Sequence, residues 1–442
     1  MKLSRFTLAA YAFPAFALAV LYLPLFSYVT PFYVAERGVN VAALGAAWIA
    51  IRLFDAVSDP VMGWLSDRTP VRLGRRRVWL VLSVPVILYA CWQAFVPPEG
   101  AGLGHAVLWL FVVTLGWTMA QTPYAAWGAE LAPGYHDRTR VTAWRESVVL
   151  VGTLAATVLY FQAGEGGDGL RALALCVLVA LPLGVLLAAI AVPDRLTQAP
   201  KRLNFRAGLE ALKANAPFRR LLAAWFFNGA ANGVPVTLFL FFVADRLGGE
   251  GRDFVLGGEP LPVAAACLLS YFLAAILGVP FWSWLASRIS KHRAWGLAML
   301  WACLIFGWAL TLTEGDVTAF LIISVLTGLA FGADLALPPA IQADVVELDT
   351  QRTGAARAGL FFAIWQVVTK AALALSSGIA LIVLGLVGFE AGGVNSETAL
   401  WTLSILYAGV PIVLKLIAVV LMWRFPLEQR DLEVGAAREA FR

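Results

Sequence analysis

The sequence predicts an all-α membrane protein of about twelve transmembrane helices in two six-helix halves. Three observations lead there. The 442 residues are 60% hydrophobic and only 14% charged, against roughly 25% charged in a soluble domain, so they could not cover a water-facing surface. The apolar stretches run about 20 residues or more, the length a helix needs to cross a hydrocarbon core about 30 Å thick. They lack the short apolar–polar alternation of a membrane barrel. Short stretches of the first half also recur in the second.

In chain order the expected spans are 8–33, 41–66, 78–97, 104–131, 139–163, 170–193, 218–245, 260–287, 293–313, 317–347, 356–388 and 396–424. The first is apolar for longer than a signal peptide and runs into SYVTPFYV without a small-residue cleavage site, so it is expected to stay as a helix. A basic loop, DRTPVRLGRRR, separates the second and third spans. The longest polar connection is KRLNFRAGLEALKANAPFRR, Lys201 to Arg220. It is basic and amphipathic, and reads either as a cytoplasmic linker helix or as a loop that obeys the charge rule. The expected division is an N-terminal bundle over 1–195, a linker over 196–217, and a C-terminal bundle with a short tail over 218–442.

Lysine and arginine set the orientation. Only Arg37, Arg171, Arg246 and Arg252 fall on one side, while Arg52, Arg145, Lys370 and Lys415 fall within spans. The rest lie at the two termini and in the loops on the other side. The positive-inside rule then puts both termini in the cytoplasm, as expected for a multi-pass protein of a bacterial inner membrane among membrane lipids. The basic residues are juxtamembrane, and no nucleic-acid module is present. Cys91, Cys176, Cys267 and Cys303 fall inside spans without paired spacing, which suits packing and not a disulfide framework.

The halves echo each other. MGWLSDRTP from Met62 parallels WSWLASRIS from Trp282, with Trp64 against Trp284 and Leu65 against Leu285. TPYAAWGAELAPGYHDRTR from Thr122 parallels LPPAIQADVVELDTQRTG from Leu337, with Pro123 against Pro338 and Arg138-Thr139 against Arg352-Thr353. Two six-helix halves related by an axis along the membrane normal are the architecture of the major facilitator fold.

The second span carries the most chemistry. RLFDAVSDPVMGW, Arg52 to Trp64, sets ionisable groups in an apolar helix, where each costs several kcal/mol at the bilayer centre. Positions 55, 58, 59 and 62 share one helical face. Two carboxylates there can surround a small hard cation with oxygens; without one, their mutual repulsion favours holding a proton. Arg52, one turn before Asp55, is either a structural ion-pair partner or a charge of the site.

DAVSDPVMGWLSDRTPVRLGRRRVWL, Asp55 to Leu80, resembles the second-helix signature of the glycoside–pentoside–hexuronide:cation symporters. TPYAAWGAELAPGYHDRTRVTAWRE and ADVVELDTQRTGAARAGLFFAIWQVVTK resemble the family's fourth-helix and tenth-to-eleventh-helix regions. The resemblance implies a coupling cation, Na⁺ or H⁺, at Asp55, Ser58 and Asp59, with Thr118 and Gln121 from the fourth helix. Asp55 and Asp59 would be the Na⁺ ligands. It implies no organic cofactor. The chain departs from melibiose-type carriers: the Asn between the aspartates is Ser58, a fourth-helix aspartate is Gln121, and a sugar-clamping first-helix aspartate is Ala19. GRRRVWLVLSVPVILYACWQAFVPP resembles the animal lysolipid carriers as much, which points to an amphiphile as the alternative substrate.

Other residues carry expectations. Lys370 lies well inside the eleventh span and either pairs with a carboxylate, Asp55 or Asp59, or contacts an anionic substrate. Arg145, beside Glu146, either caps a helix or serves a cytoplasmic gate. Asp334 is either a second ion site or hydrogen-bonded within the bundle. Lys415 has no motif behind it. Asn228 and Asn232 share a face and either line a cavity or join helices. Trp117, Tyr124 and Trp365 fall on helices that line the cavity in the family, where aromatic rings stack on sugars. The arginines around Arg68 to Arg77 either relay charge between states or only set topology.

The expected function is monomeric, cation-coupled symport of a sugar-type or amphiphilic small molecule. A membrane sensor is the rival of a different class, and the small extramembrane portion weighs against it. No ATP-binding loop of the G-x-x-x-x-G-K-[ST] type is present. His105, His136 and His292 lie at loops or span ends without a nucleophile, so an enzyme is not expected.

Overall fold

The computed structural model describes residues 4–69, 74, 76–131, 135–193, 215–249, 251–256, 259–353 and 358–426. The helices are α1 Arg5–Ser27, α2 Val29–Ala35, α3 Val41–Arg68, α4 Arg77–Phe95, α5 Leu103–Leu131, α6 Tyr135–Gln162 and α7 Gly167–Ala191, followed by α8 Ala216–Phe241, α9 Val263–Ile289, α10 Lys291–Ala309, α11 Val317–Thr353, α12 Ala358–Leu386, α13 Glu397–Ser404 and α14 Val410–Trp423. Among the described residues, eleven stretches of helix are long and apolar enough to cross a membrane. The expected ninth span is α10, whose opening Lys291, His292 and Arg293 lower its average hydropathy and leave it outside those eleven. Nearly all of the expected linker lies outside the described residues.

Local chemistry sets the helix boundaries. Ser4, Asn40, Asn215 and Ser396 each accept a backbone N–H of the first turn, from Thr7, Ala43, Phe218 and Ala399. Each cap satisfies a donor that the helix cannot. The first expected span is two helices broken at Tyr28, because Pro31 has no N–H for the Ser27 carbonyl. The last expected span holds a π-helical turn, Ile405–Gly409, between α13 and α14. Pro411 follows it, and the wider turn absorbs the missing donor. The expected start of the eighth span at 260 is corrected. Residues 259–262 form β2, Glu259–Pro262, antiparallel to β1, Asp253–Leu256, with Asp253 opposite Pro262. Pro260 and Pro262 cannot donate in a helix, and α9 begins only at Val263.

The chain divides into two compact units. One comprises Met1–Ala199 with Leu381–Leu386 and Glu390–Gly393, and the other comprises the rest. In the first, α1 is buried on nearly every side. Tyr11 and Tyr124 lock it to α5: Tyr124 donates to the Tyr11 carbonyl at 2.5 Å and Tyr11 to the Tyr124 carbonyl at 3.1 Å. Each ring thereby satisfies its hydroxyl while burying its apolar body. In the second unit, Phe218, Trp295, Ile341, Phe361 and Met422 belong to one apolar core.

Helices α9 and α11 meet through small residues. A Cβ on Gly332 would lie 2.6 Å from the Ala275 carbonyl and 2.8 Å from the Gly278 backbone, and one on Gly328 would collide with the Tyr271 carbonyl. Gly328 and Gly332 are one turn apart, the small-xxx-small pattern that lets two backbones touch in lipid, where packing replaces the hydrophobic drive. Gly332→Val should cost about 1–3 kcal/mol or prevent assembly, since the crowded atoms are backbone. A detergent melting curve checks this, and wild-type stability in Gly332→Val would contradict the close contact.

A candidate cation site in the N-terminal unit

On α3, Ile51, Arg52, Asp55, Ser58, Met62 and Ser66 are buried, while Leu53, Phe54, Val57, Val61 and Trp64 are exposed. The polar groups therefore face inward and the apolar ones outward, the reverse of a surface helix in water. Arg52 Nη1 donates to Asp55 Oδ2 at 2.9 Å, with side chains only 6% and 1% exposed. The guanidinium also lies 4.2 Å from the Phe26 ring centroid and 5.8 Å from that of Trp48. Stacking on rings suits guanidinium, which is weakly hydrated and planar. The Ser58 hydroxyl donates to the Asp55 carbonyl at 3.4 Å, so its lone pairs stay available. Asp59 is half-buried at the edge of the same stripe. Pro60 follows it and has no N–H for the Ala56 carbonyl, which frees one more oxygen on this turn.

Helix α5 supplies the second wall. Phe54 packs on Phe111 with centroids 4.7 Å apart, and further along Gly63 approaches Thr122. Both numbers increase together, so α3 and α5 run parallel, and this register brings Asp59 level with Thr118. Thr118 is buried, and its Oγ1 has no hydrogen-bond partner among the described residues. Gln121 is half-buried one turn on. Trp117 packs at a tilt on Tyr22 with centroids 5.0 Å apart, Tyr22 likewise on Phe26 at 4.7 Å, and Phe26 stacks on Trp48 at 5.3 Å. An aromatic wall therefore encloses the Arg52–Asp55 pair. Sequence reading missed Tyr22 and Phe26, although their spacing of four residues on α1 signals a shared face.

Other expected residues have different surroundings. Tyr124 is fully buried and committed to Tyr11, which gives it a packing role. Ala19 packs at Gly152 of α6, where a larger side chain has no room. Arg145 pairs with its neighbour Glu146 at 2.5 Å. Arg68 stacks on Trp64 at 4.0 Å, Arg76 donates to Ser66 at 2.6 Å and Arg77 to the Val192 carbonyl at 2.7 Å. Arg72, Arg75 and the Asp67 side chain lie outside the described residues.

In the C-terminal unit Trp365 is 6% exposed and stacked on Trp225 at 4.5 Å, so its ring is already covered. Lys370 is half-buried on α12, beside Thr369, which accepts from Trp225 Nε1 at 2.6 Å. Asp334, Asn228, Asn232 and Lys415 form one buried cluster. Sequence reading gave Lys415 no role. The signal was present: a lysine in mid-span requires acceptors, and two asparagines one turn apart provide them.

The helical architecture is that of major facilitator transporters. The nucleoside transporter NupG superposes with a TM-score of 0.66 at 14% identity, covering 96% of this chain and all of its own. The chain belongs to the MFS/sugar transport protein family, whose model matches residues 10–429. It is similar to the sodium-dependent lysophosphatidylcholine symporter 1-A of Danio rerio, 24% identical across 86% of this chain and 78% of the relative. It is also similar to the isoprimeverose transporter of Lactiplantibacillus pentosus, 23% identical across 91% of this chain and 85% of the relative. The protein is therefore a membrane transporter and not an enzyme.

Arg52→Met removes the guanidinium from Asp55 while keeping apolar volume against Phe26. Breaking a buried pair in this way costs about 3–5 kcal/mol. Adding Asp55→Asn should return most of that loss. Melting temperatures of the two variants against wild type check this; equal stability of Arg52→Met and wild type would contradict a buried bridge.

Proposed function

We propose that this chain is a cation-coupled symporter and that the α3 face of Asp55, Ser58 and Asp59, with Thr118 and Gln121 of α5, holds the coupling ion. The observation that carries this reading is the buried Arg52–Asp55 bridge beside Asp59. Arg52, Asp55 and Asp59 set two carboxyl groups beside one guanidinium. A monovalent cation, Na⁺ or H⁺, adds one positive charge to this group when it binds and removes it when it leaves. Buried in hydrocarbon, that difference is large enough to bias one conformation against another. Sodium is the ion we favour, because the oxygens of two carboxylates, Ser58 and Thr118 are hard donors.

The proposed substrate is a sugar or glycoside, stacked on exposed edges of the Trp117 wall, with Lys370 as the coupling residue of the C-terminal unit. A lysophospholipid or other amphiphile is the second reading. It is favoured by Ala19 and Gln121, which stand where sugar-clamping carboxylates would be. The proposed setting is a bacterial inner membrane, with both termini cytoplasmic and the chain acting as a monomer.

Reconstituted vesicles with an imposed sodium gradient test both readings. Labelled pentosides, hexosides and lysophosphatidylcholine would be offered in turn. One class should accumulate in a sodium-dependent way, and Asp59→Asn should reduce that accumulation at least about tenfold, the effect of losing roughly 1.4 kcal/mol of ion binding. Full gradient-driven accumulation by Asp59→Asn would overturn the assignment.

A further inference from the structure

The C-terminal unit contains a second buried charge that the proposed cation site does not use. Lys415 of α14 is 4% exposed in the apolar run VPIVLKLIAVV. Its ammonium has three protons and three acceptors: Asn228 Oδ1 at 2.8 Å, Asn232 Oδ1 at 2.8 Å and Asp334 Oδ2 at 3.4 Å. The cage is held from outside. Asn232 Nδ2 donates to Asp334 Oδ2 at 2.9 Å, and Trp295 Nε1 donates to Asp334 Oδ1 at 2.6 Å. Four helices, α8, α10, α11 and α14, each contribute at least one member.

Two features separate this arrangement from an ordinary ion pair. Two of the three oxygens belong to neutral amides, so the ammonium is solvated as an ion and not merely paired. The Asn228 amide also turns its oxygen to the ammonium, although its buried Nδ2 then has no hydrogen-bond partner among the described residues. An unmet buried donor is costly, and that orientation is explained by the need for an oxygen facing positive charge. The cage holds one carboxylate, so a single positive charge neutralises it and a divalent ion would overcharge it.

We propose that the Lys415 ammonium is a tethered cation: it fills an oxygen-lined site of Asn228, Asn232 and Asp334 that binds a free monovalent cation once the lysine side chain is removed. The C-terminal unit then carries its own fixed ion and takes none from solution. This inference stands apart from the Asp55–Asp59 reading, because all its members lie in the other unit and its test compares variants at 334 and 415.

The test is thermal melting of the full chain in detergent, for wild type, Lys415→Ala and Lys415→Ala/Asp334→Asn. Each is titrated with sodium chloride and with propylammonium chloride, against choline chloride at equal ionic strength. Propylammonium restores both the lost alkyl volume and the charge. Lys415→Ala should melt below wild type in choline and recover with either cation. Its stabilisation should grow with the logarithm of cation concentration above the dissociation constant, as linkage requires. This response should exceed that of wild type and be lost in the double variant. The proposal is overturned if Lys415→Ala responds no more than wild type, or if the double variant responds as strongly. Failure to recover Lys415→Ala as folded protein in any of these salts also overturns it, since an external cation then cannot replace the ammonium.

Discussion

Ionised groups have no water in the hydrocarbon core, and the organisation of both units follows from meeting that constraint. In the N-terminal unit a salt bridge between Arg52 and Asp55, 2.9 Å long, is wrapped by the aromatic rings of Phe26 and Trp48. In the C-terminal unit Lys415 is surrounded by the oxygens of Asn228, Asn232 and Asp334. The choices match the chemistry of the two cations. Guanidinium is flat and weakly hydrated, so rings can cover it. Ammonium is compact and strongly hydrated, so it needs oxygens on several sides.

The proposed function draws on the difference between these two arrangements. The C-terminal cluster is neutral as it stands. The proposed ion group of the N-terminal unit sets two carboxylates, Asp55 and Asp59, beside one guanidinium, Arg52, on the helix whose inward stripe also presents Ser58, with Thr118 on α5. We propose that a cation from solution joins this group, so that its energy depends on ion occupancy. That is the property a coupled transporter requires, because an ion gradient can then drive a change of state. The family to which the chain belongs carries out transport, and we propose the α3 group as the local means to couple it.

Much of this was legible in the sequence, for identifiable reasons. Long apolar runs declare helices because hydrocarbon leaves the backbone no other partner for its hydrogen bonds. The spacing of Asp55, Ser58 and Asp59 declares a face because the helix repeats every 3.6 residues. What periodicity cannot convey is which neighbour covers a given side chain. Tyr124 and Trp365 read as available aromatic faces, yet each is occupied, one by Tyr11 and the other by Trp225. Lys415 and its acceptors are separated by 187 residues in the case of Asn228, so no local pattern joins them. The hairpin before α9 and the π-helical turn before α14 follow from prolines whose effect depends on backbone accommodation.

The proposed coupling requires Asp59 to complete a site for one monovalent ion. Equilibrium binding of radioactive sodium to the purified protein addresses this directly, without any substrate. Wild type is expected to bind sodium saturably, approaching a single ion per chain, with protons competing as pH falls. Asp59→Asn is expected to bind none at the same concentrations. Sodium binding by Asp59→Asn at wild-type affinity and amount would contradict the account and move the coupling ion away from α3.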